Sequence, residues 1–110
     1  LASKAVALHP NDFRLLDTYG FALFLQRDYL QAEIYLRRAI ERAEAAQKED
    51  PSSVSTASLA EYYYHYAKVQ EEVGNLQTSL LFLQKVKQLV STDEIDLAIE
   101  EIKRRMESSK

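Results

Sequence analysis

LDTYGFALFLQRDYLQAEIYLRRA, residues 16–39, is the stretch whose reading decides the fold. Leu16, Tyr19, Gly20 and Leu23 recur at i, i+3, i+4 and i+7, one face of a 3.6-residue period. A polar break follows at Gln26-Arg27-Asp28. Beyond it Ala32, Leu36, Ala39, Ile40 and Ala43 recur at i, i+4, i+7, i+8 and i+11, with Asp28 as an N-cap candidate. Two amphipathic stripes on either side of a short break predict an antiparallel helical hairpin, hairpin 1 over residues 13–47, with helices at about 13–26 and 29–47.

Upstream, Ala2, Ala5, Val6 and Leu8 are apolar, and His9-Pro10 stops the run, because a residue before proline is pushed out of the helical region. Asn11 or Asp12 caps the helix that follows. Downstream, the helix-favouring run ERAEAAQKED extends the second helix, and Asp50-Pro51-Ser52-Ser53 ends it. Residues 48–57 form a linker in which SSVSTAS, without apolar period, reads as a loop or a loose first turn. Ser58-Leu59-Ala60-Glu61 has capping-box spacing, so a helix is expected over about 57–73.

In that helix Tyr63, Tyr66, Ala67 and Gln70 take the places of Leu16, Tyr19, Gly20 and Leu23, 47 residues on. Gly74-Asn75 breaks the chain where Arg27-Asp28 does, and Leu76, Ser79, Leu83 and Val86 match Tyr29, Ala32, Leu36 and Ala39. Residues 58–90 are therefore a second hairpin, although Gln70 stands where a bulky apolar residue is expected. Ser91-Thr92-Asp93-Glu94 offers another capping box for a last helix over 92–107, whose Ile95, Ile99, Ile102 and Met106 form one apolar face.

Leu, two residues, Tyr-Gly, two residues, Leu, and then Ala, three residues, Leu resembles the tetratricopeptide repeat (TPR), which pairs large with small residues so that helices approach closely. Ala5 and Pro10 have the spacing that closes a second helix in that family. The resemblance implies an all-α fold of antiparallel hairpins stacked as a right-handed solenoid in a single domain, 1–110. Residues 1–10 would be the end of a preceding repeat, cut on its N-terminal side, and the last helix would cap the array near Lys110. The offset of 47 residues exceeds the family period of about 34. The pattern is closer to bacterial multi-repeat proteins than to chaperone adaptors.

In this family the first helix of each repeat lines a concave peptide-binding surface. Carried over by position, that gives Arg14, Asp17, Thr18, Phe21, Phe24 and Leu25 from hairpin 1, and Glu61, Tyr64, His65, Lys68, Glu71 and Glu72 from hairpin 2. Phe21 and Phe24 lie off the apolar stripe and are expected to be partly exposed unless something covers them. Asp17, Phe21 and His65 stand where some members carry a lysine and two asparagines to clamp a C-terminal carboxylate, so that mode is not expected. An aromatic and acidic groove suits a ligand with apolar anchors and some basic character.

Tyr62, Tyr63, Tyr64 and Tyr66 spread around one helix, so some rings must be buried and others exposed, with hydroxyls reaching solvent or a partner. Glu61 and His65 at i and i+4 have the spacing to share a metal. With only His9 and His65 in the chain and no second helix offering Glu-x-x-His, the sequence favours an ion pair or a groove contact, and no metal or cofactor is expected.

The 110 residues are 46% hydrophobic and 28% charged, the composition of one globular domain, and two glycines and two prolines leave few turn signals. A net charge of −3 supplies no field for phosphates, so nucleic acid is not an expected partner. No apolar run reaches the roughly 18 residues that span a bilayer, so the chain is expected to be soluble, in cytoplasm or periplasm alike. Cysteine is absent, which removes thiol nucleophiles and disulfides. No nucleophile elbow or phosphate loop is present, and Glu71-Glu72 and Glu100-Glu101 are adjacent pairs whose side chains diverge by about 100° on a helix. The function expected is therefore a non-enzymatic scaffold binding a protein or peptide. The rivals are a homodimer formed through the truncated N-terminal face, or a regulatory domain of a larger enzyme.

Overall fold

The computed structural model describes residues 2–109, and among them the chain is helical with no strand. The helices are α1 (Ala2–Leu8), α2 (Phe13–Leu25), α3 (Tyr29–Glu49), α4 (Thr56–Glu72), α5 (Leu76–Leu89) and α6 (Asp93–Ser108), with a 3-10 turn at Pro51–Ser53. Helices α2 and α3 form the first hairpin, α4 and α5 the second, and α6 packs on α5. This is the all-α, TPR-like helical-repeat fold that the resemblance implies. Leu1 and Lys110 lie outside the described residues, and within the stretch 1–10 expected as the end of a preceding repeat Ala2–Leu8 form α1.

The helix starts follow from local hydrogen bonding. Asp12 accepts from the backbone N–H of Arg14 and Leu15 at 3.0 and 3.4 Å, and Asp28 accepts from Gln31 at 3.3 Å. Two expected starts move. The cap of α4 is Ser55, which accepts from the Ser58 N–H at 3.0 Å, so Ser58 lies inside the helix and the Ser58–Glu61 capping box does not form. The cap of α6 is Thr92, which accepts from Ile95 N–H at 3.2 Å, so the box expected to end at Glu94 is absent as well. In each run neighbouring hydroxyls compete for one cap.

The expected linker 48–57 is largely structured. Lys48 and Glu49 continue α3, Asp50 accepts from Ser52 N–H at 3.0 Å to start the 3-10 turn, and Thr56 already belongs to α4. Val54, within a stretch with no apolar period, is buried in the core. It belongs to the same core cluster as Ala43 of α3 and Leu59 of α4.

Within hairpin 1 the helices approach closely at Gly20. A Cβ there would lie 2.7 Å from Leu36 Cγ and 3.1 Å from the Leu36 backbone nitrogen. The equivalent Ala67 in hairpin 2 accommodates its methyl group, and Ser79 Oγ donates to Ala67 O at 2.9 Å between the same two helices. Gln70, expected to be ill-suited to the interior, is only 3% exposed, and its Oε1 accepts from Asn75 Nδ2 at 2.9 Å. The amide oxygen is thereby satisfied, which helps a polar residue to occupy an apolar place.

The main core runs from Leu23, Leu36 and Ile40 through Tyr62, Tyr63 and Tyr66 to Ile95, Ile99 and Ile102. Tyr62, Tyr63 and Tyr66 are buried and Tyr64 is half-buried. The hydroxyls of Tyr63 and Tyr66 do not turn to solvent. Each donates to a carboxylate of α3, Tyr63 to Glu44 at 2.5 Å and Tyr66 to Glu33 at 3.1 Å, so the hairpins are joined by two hydroxyl–carboxylate bonds. Glu44 stands where the family pattern has proline, and continuing α3 past that point supplies the acceptor for Tyr63. A smaller cluster of Val6, Leu16 and Ala39 closes the other end. Val6 of α1 thus packs on Leu16 and Ala39 of hairpin 1, on the side that the self-association reading invokes, and Arg38 reaches across to Pro10 O at 3.2 Å.

Candidate partner-binding groove

The candidate site lies along α2 and α4, the first helices of the two hairpins, which contact one another directly. Because α4 lies against α2, the α2 face that bears Asp17 is closed off. Asp17, expected as an open groove contact, is 5% exposed. Both its carboxylate oxygens accept from His65 Nδ1, at 2.9 and 3.0 Å, which places the ring proton on Nδ1 because a carboxylate can only accept. Burial pushes the Asp17 carboxyl up, the hydrogen bond and charge of His65 pull it part of the way back, and Glu61 adds to the rise. The remaining ring nitrogen, Nε2, faces Glu61 Oε1 at 3.8 Å.

Phe21 lies flat on the His65 ring, with centroids 4.0 Å apart and planes 21° from parallel. Phe24 stacks next to Phe21 at 5.6 Å, and Tyr29 at the start of α3 tilts against Phe24. Phe21 and Phe24 are both half-buried, and Phe24 also packs against the main core. Leu25, one turn on, is 67% exposed. Tyr64 packs its ring against the main core.

The charged residues of the set are spread along the same two helices. Arg14 is exposed with its guanidinium over Phe13, and Thr18 is exposed with its hydroxyl donating to Arg14 O at 2.9 Å. Lys68 Nζ lies 3.5 Å from Glu71, and Glu71 also binds Arg105 of α6 at 2.8 Å. Those two cations neutralise Glu71, leaving Glu61 and Glu72 as the exposed acids of α4. Lys68 and Glu71 are therefore tied into a cluster with Arg105 of α6. The sequence assigned neither Arg105 nor Tyr29 to the site; their places depend on how the helices pack and have no periodic signal.

A cavity of about 490 Å³ opens where the hairpin tips meet, lined by Tyr29, Leu30, Glu33, Tyr66, Gln70 and Val73 among others. Leu30 and Val73 are exposed at its rim. Sequence reasoning passed over both, because each lies outside the repeat pattern. Tyr29 links this cavity to the Phe24 end of the ring column.

No family model matches the chain, and a search of curated proteins finds no match. Among solved structures the chain is similar to the N-terminal domain of stress-induced protein-1 from C. elegans. The two are 11% identical, the alignment covers 93% of this chain and 76% of that one, and the TM-score is 0.76. At that identity the likeness is one of fold.

Proposed function

We propose that the chain is a protein-interaction module that holds a peptide or a protein segment against α2 and α4. The reading rests on one observation above all, the half-buried ring column of Phe21 and Phe24 continuing into exposed Leu25. Aromatic anchors beside an apolar rim are the usual carriers of binding energy. The rings are already ordered by their contact with His65 and Tyr29, so a partner loses little affinity to fixing them. Exposed Glu61 and Glu72 suit a segment with some basic character.

The test places a photo-crosslinking residue at position 25 or, as a control on the second helix of hairpin 2, at position 81, where Leu81 is also exposed. Material captured from the native source is identified by mass spectrometry. A partner recovered from position 25 and not from position 81 supports the groove. Recovery from position 81 alone overturns it.

A further inference from the structure

We infer that Glu61 and His65 bind a borderline divalent transition ion of the Zn2+ type, with Asp17 as the residue that orients the histidine. The inference does not depend on whether the groove holds a partner. On the sequence alone, Glu61 and His65 are an isolated i, i+4 pair; the fold brings Asp17 to them from 48 residues away on α2. One ligand atom from each of Asp17, Glu61 and His65 lies within 4.8 Å of the others.

Three features of the geometry point to metal ligation. First, Asp17 fixes the tautomer. By holding Nδ1–H it puts the lone pair of the neutral ring on Nε2, so that a metal displaces the Nε2 proton of the charged ring, which is how a carboxylate prepares a histidine for a metal. Second, Glu61 Oε1 stands 3.8 Å from Nε2, beyond hydrogen-bond reach. That gap is slightly less than the sum of one Zn–N and one Zn–O bond, about 4.1 Å. An ion therefore fits between the two atoms at an angle of roughly 135°, which closes toward tetrahedral as the side chain of Glu61 turns. Third, the imidazole is set in place while its neighbour can adjust. The His65 side chain is 11% exposed and clamped between Asp17 and Phe21, whereas that of Glu61 is 63% exposed.

One imidazole nitrogen with one carboxylate selects Zn2+, Cu2+ or Ni2+ over Mg2+ and Ca2+, which require shells of oxygen. Water or a side chain of an occupant completes the remaining coordination positions. Metal on Nε2 makes Nδ1–H a stronger donor to Asp17, so binding tightens the contact between α2 and α4 and raises the melting temperature.

The test titrates the chain with zinc chloride, read by calorimetry and by 15N-correlated NMR, with magnesium chloride as the comparison. The expected result is one saturable Zn2+ per chain, shifts centred on His65, a higher Tm and no Mg2+ binding. Glu61→Gln and His65→Gln each remove the binding, Asp17→Asn weakens it about 10- to 100-fold, and His9→Gln changes nothing. Glu61 is exposed, so Glu61→Gln keeps the test decisive if His65→Gln fails to fold. The inference is overturned by no saturable binding at millimolar Zn2+, by shifts centred on His9, by equal binding of Mg2+, or by unchanged binding in folded Glu61→Gln.

Discussion

Gly20→Ala adds one methyl group where α2 meets α3. Its Cβ would lie 2.7 and 2.8 Å from Leu36 Cγ and Cδ2 and 3.1 Å from the Leu36 backbone nitrogen. Leu36 is 0% exposed, so its side chain has no free volume into which to turn, and the backbone nitrogen moves only if the helices part. Overpacking of this kind costs about 1–3 kcal/mol, and two contacts under 3 Å on a fully enclosed side chain put it near the upper end. Replacing glycine by alanine in a helix returns about 1 kcal/mol. The net expectation is a loss of about 2 kcal/mol, read as a lower urea midpoint at unchanged m-value by circular dichroism at 222 nm.

The cause is separable from any general intolerance at position 20. Leu36→Ala alone costs about 2–5 kcal/mol by leaving a cavity. It also removes the two atoms that Gly20→Ala would strike, so in that background the alanine becomes neutral or stabilising by up to about 1 kcal/mol. A double-mutant cycle should thus show a coupling of about 2–3 kcal/mol. If Gly20→Ala is as stable as the parent, or its cost is the same with Leu36 present or absent, the close approach does not govern this hairpin.

Positions 27 and 74 end the first helix of each hairpin with positive φ, 66° at Arg27 and 88° at Gly74. Arg27→Gly should gain about 0.5 kcal/mol and Gly74→Ala should lose about 1 kcal/mol in urea melts, although a Cβ at 74 meets nothing within 4 Å. Removing the Tyr63 hydroxyl that donates to Glu44 should cost about 0.5–1.5 kcal/mol in Tyr63→Phe, with Glu44→Gln less costly because its amide oxygen still accepts. Burial, aided by Glu33, pushes the Tyr66 hydroxyl up to about 12 from its ordinary 10.0. The folded chain then holds a proton that the unfolded chain gives up, so this stabilisation is full below pH 10 and is lost as pH rises through about 12. Urea midpoints at pH 8, 10.5 and 11.5 should fall more steeply for the parent than for Tyr66→Phe, by about 1.4 kcal/mol per pH unit in that window.

Hairpin 1 is legible in the sequence because its information is local. Leu16, Tyr19, Gly20 and Leu23 define one face by spacing alone, and Leu36 is set opposite Gly20 by a short break. What escapes the sequence depends on the angle at which one hairpin meets the next. Asp17 follows directly on the apolar stripe and reads as a surface acid; only the approach of α4 buries it on His65. The bonds from Tyr63 to Glu44 and from Tyr66 to Glu33 lie between elements whose relative rotation no periodicity specifies. The caps at Ser55 and Thr92 lie up to a turn from the expected Ser58 and Ser91 because neighbouring hydroxyls compete for the same N–H groups. Val54 carries no pattern of its own, yet it is buried in the core.

The central claim is that the ring column on α2 carries partner binding, and the most direct measurement is the affinity of a recovered partner for the double variant Phe21→Ala/Phe24→Ala. Two aromatic anchors worth about 2 kcal/mol each predict a loss of several hundred-fold in Kd, with helical content unchanged by circular dichroism. An affinity within twofold of the parent, in a variant with the parent's helical spectrum, would contradict the account.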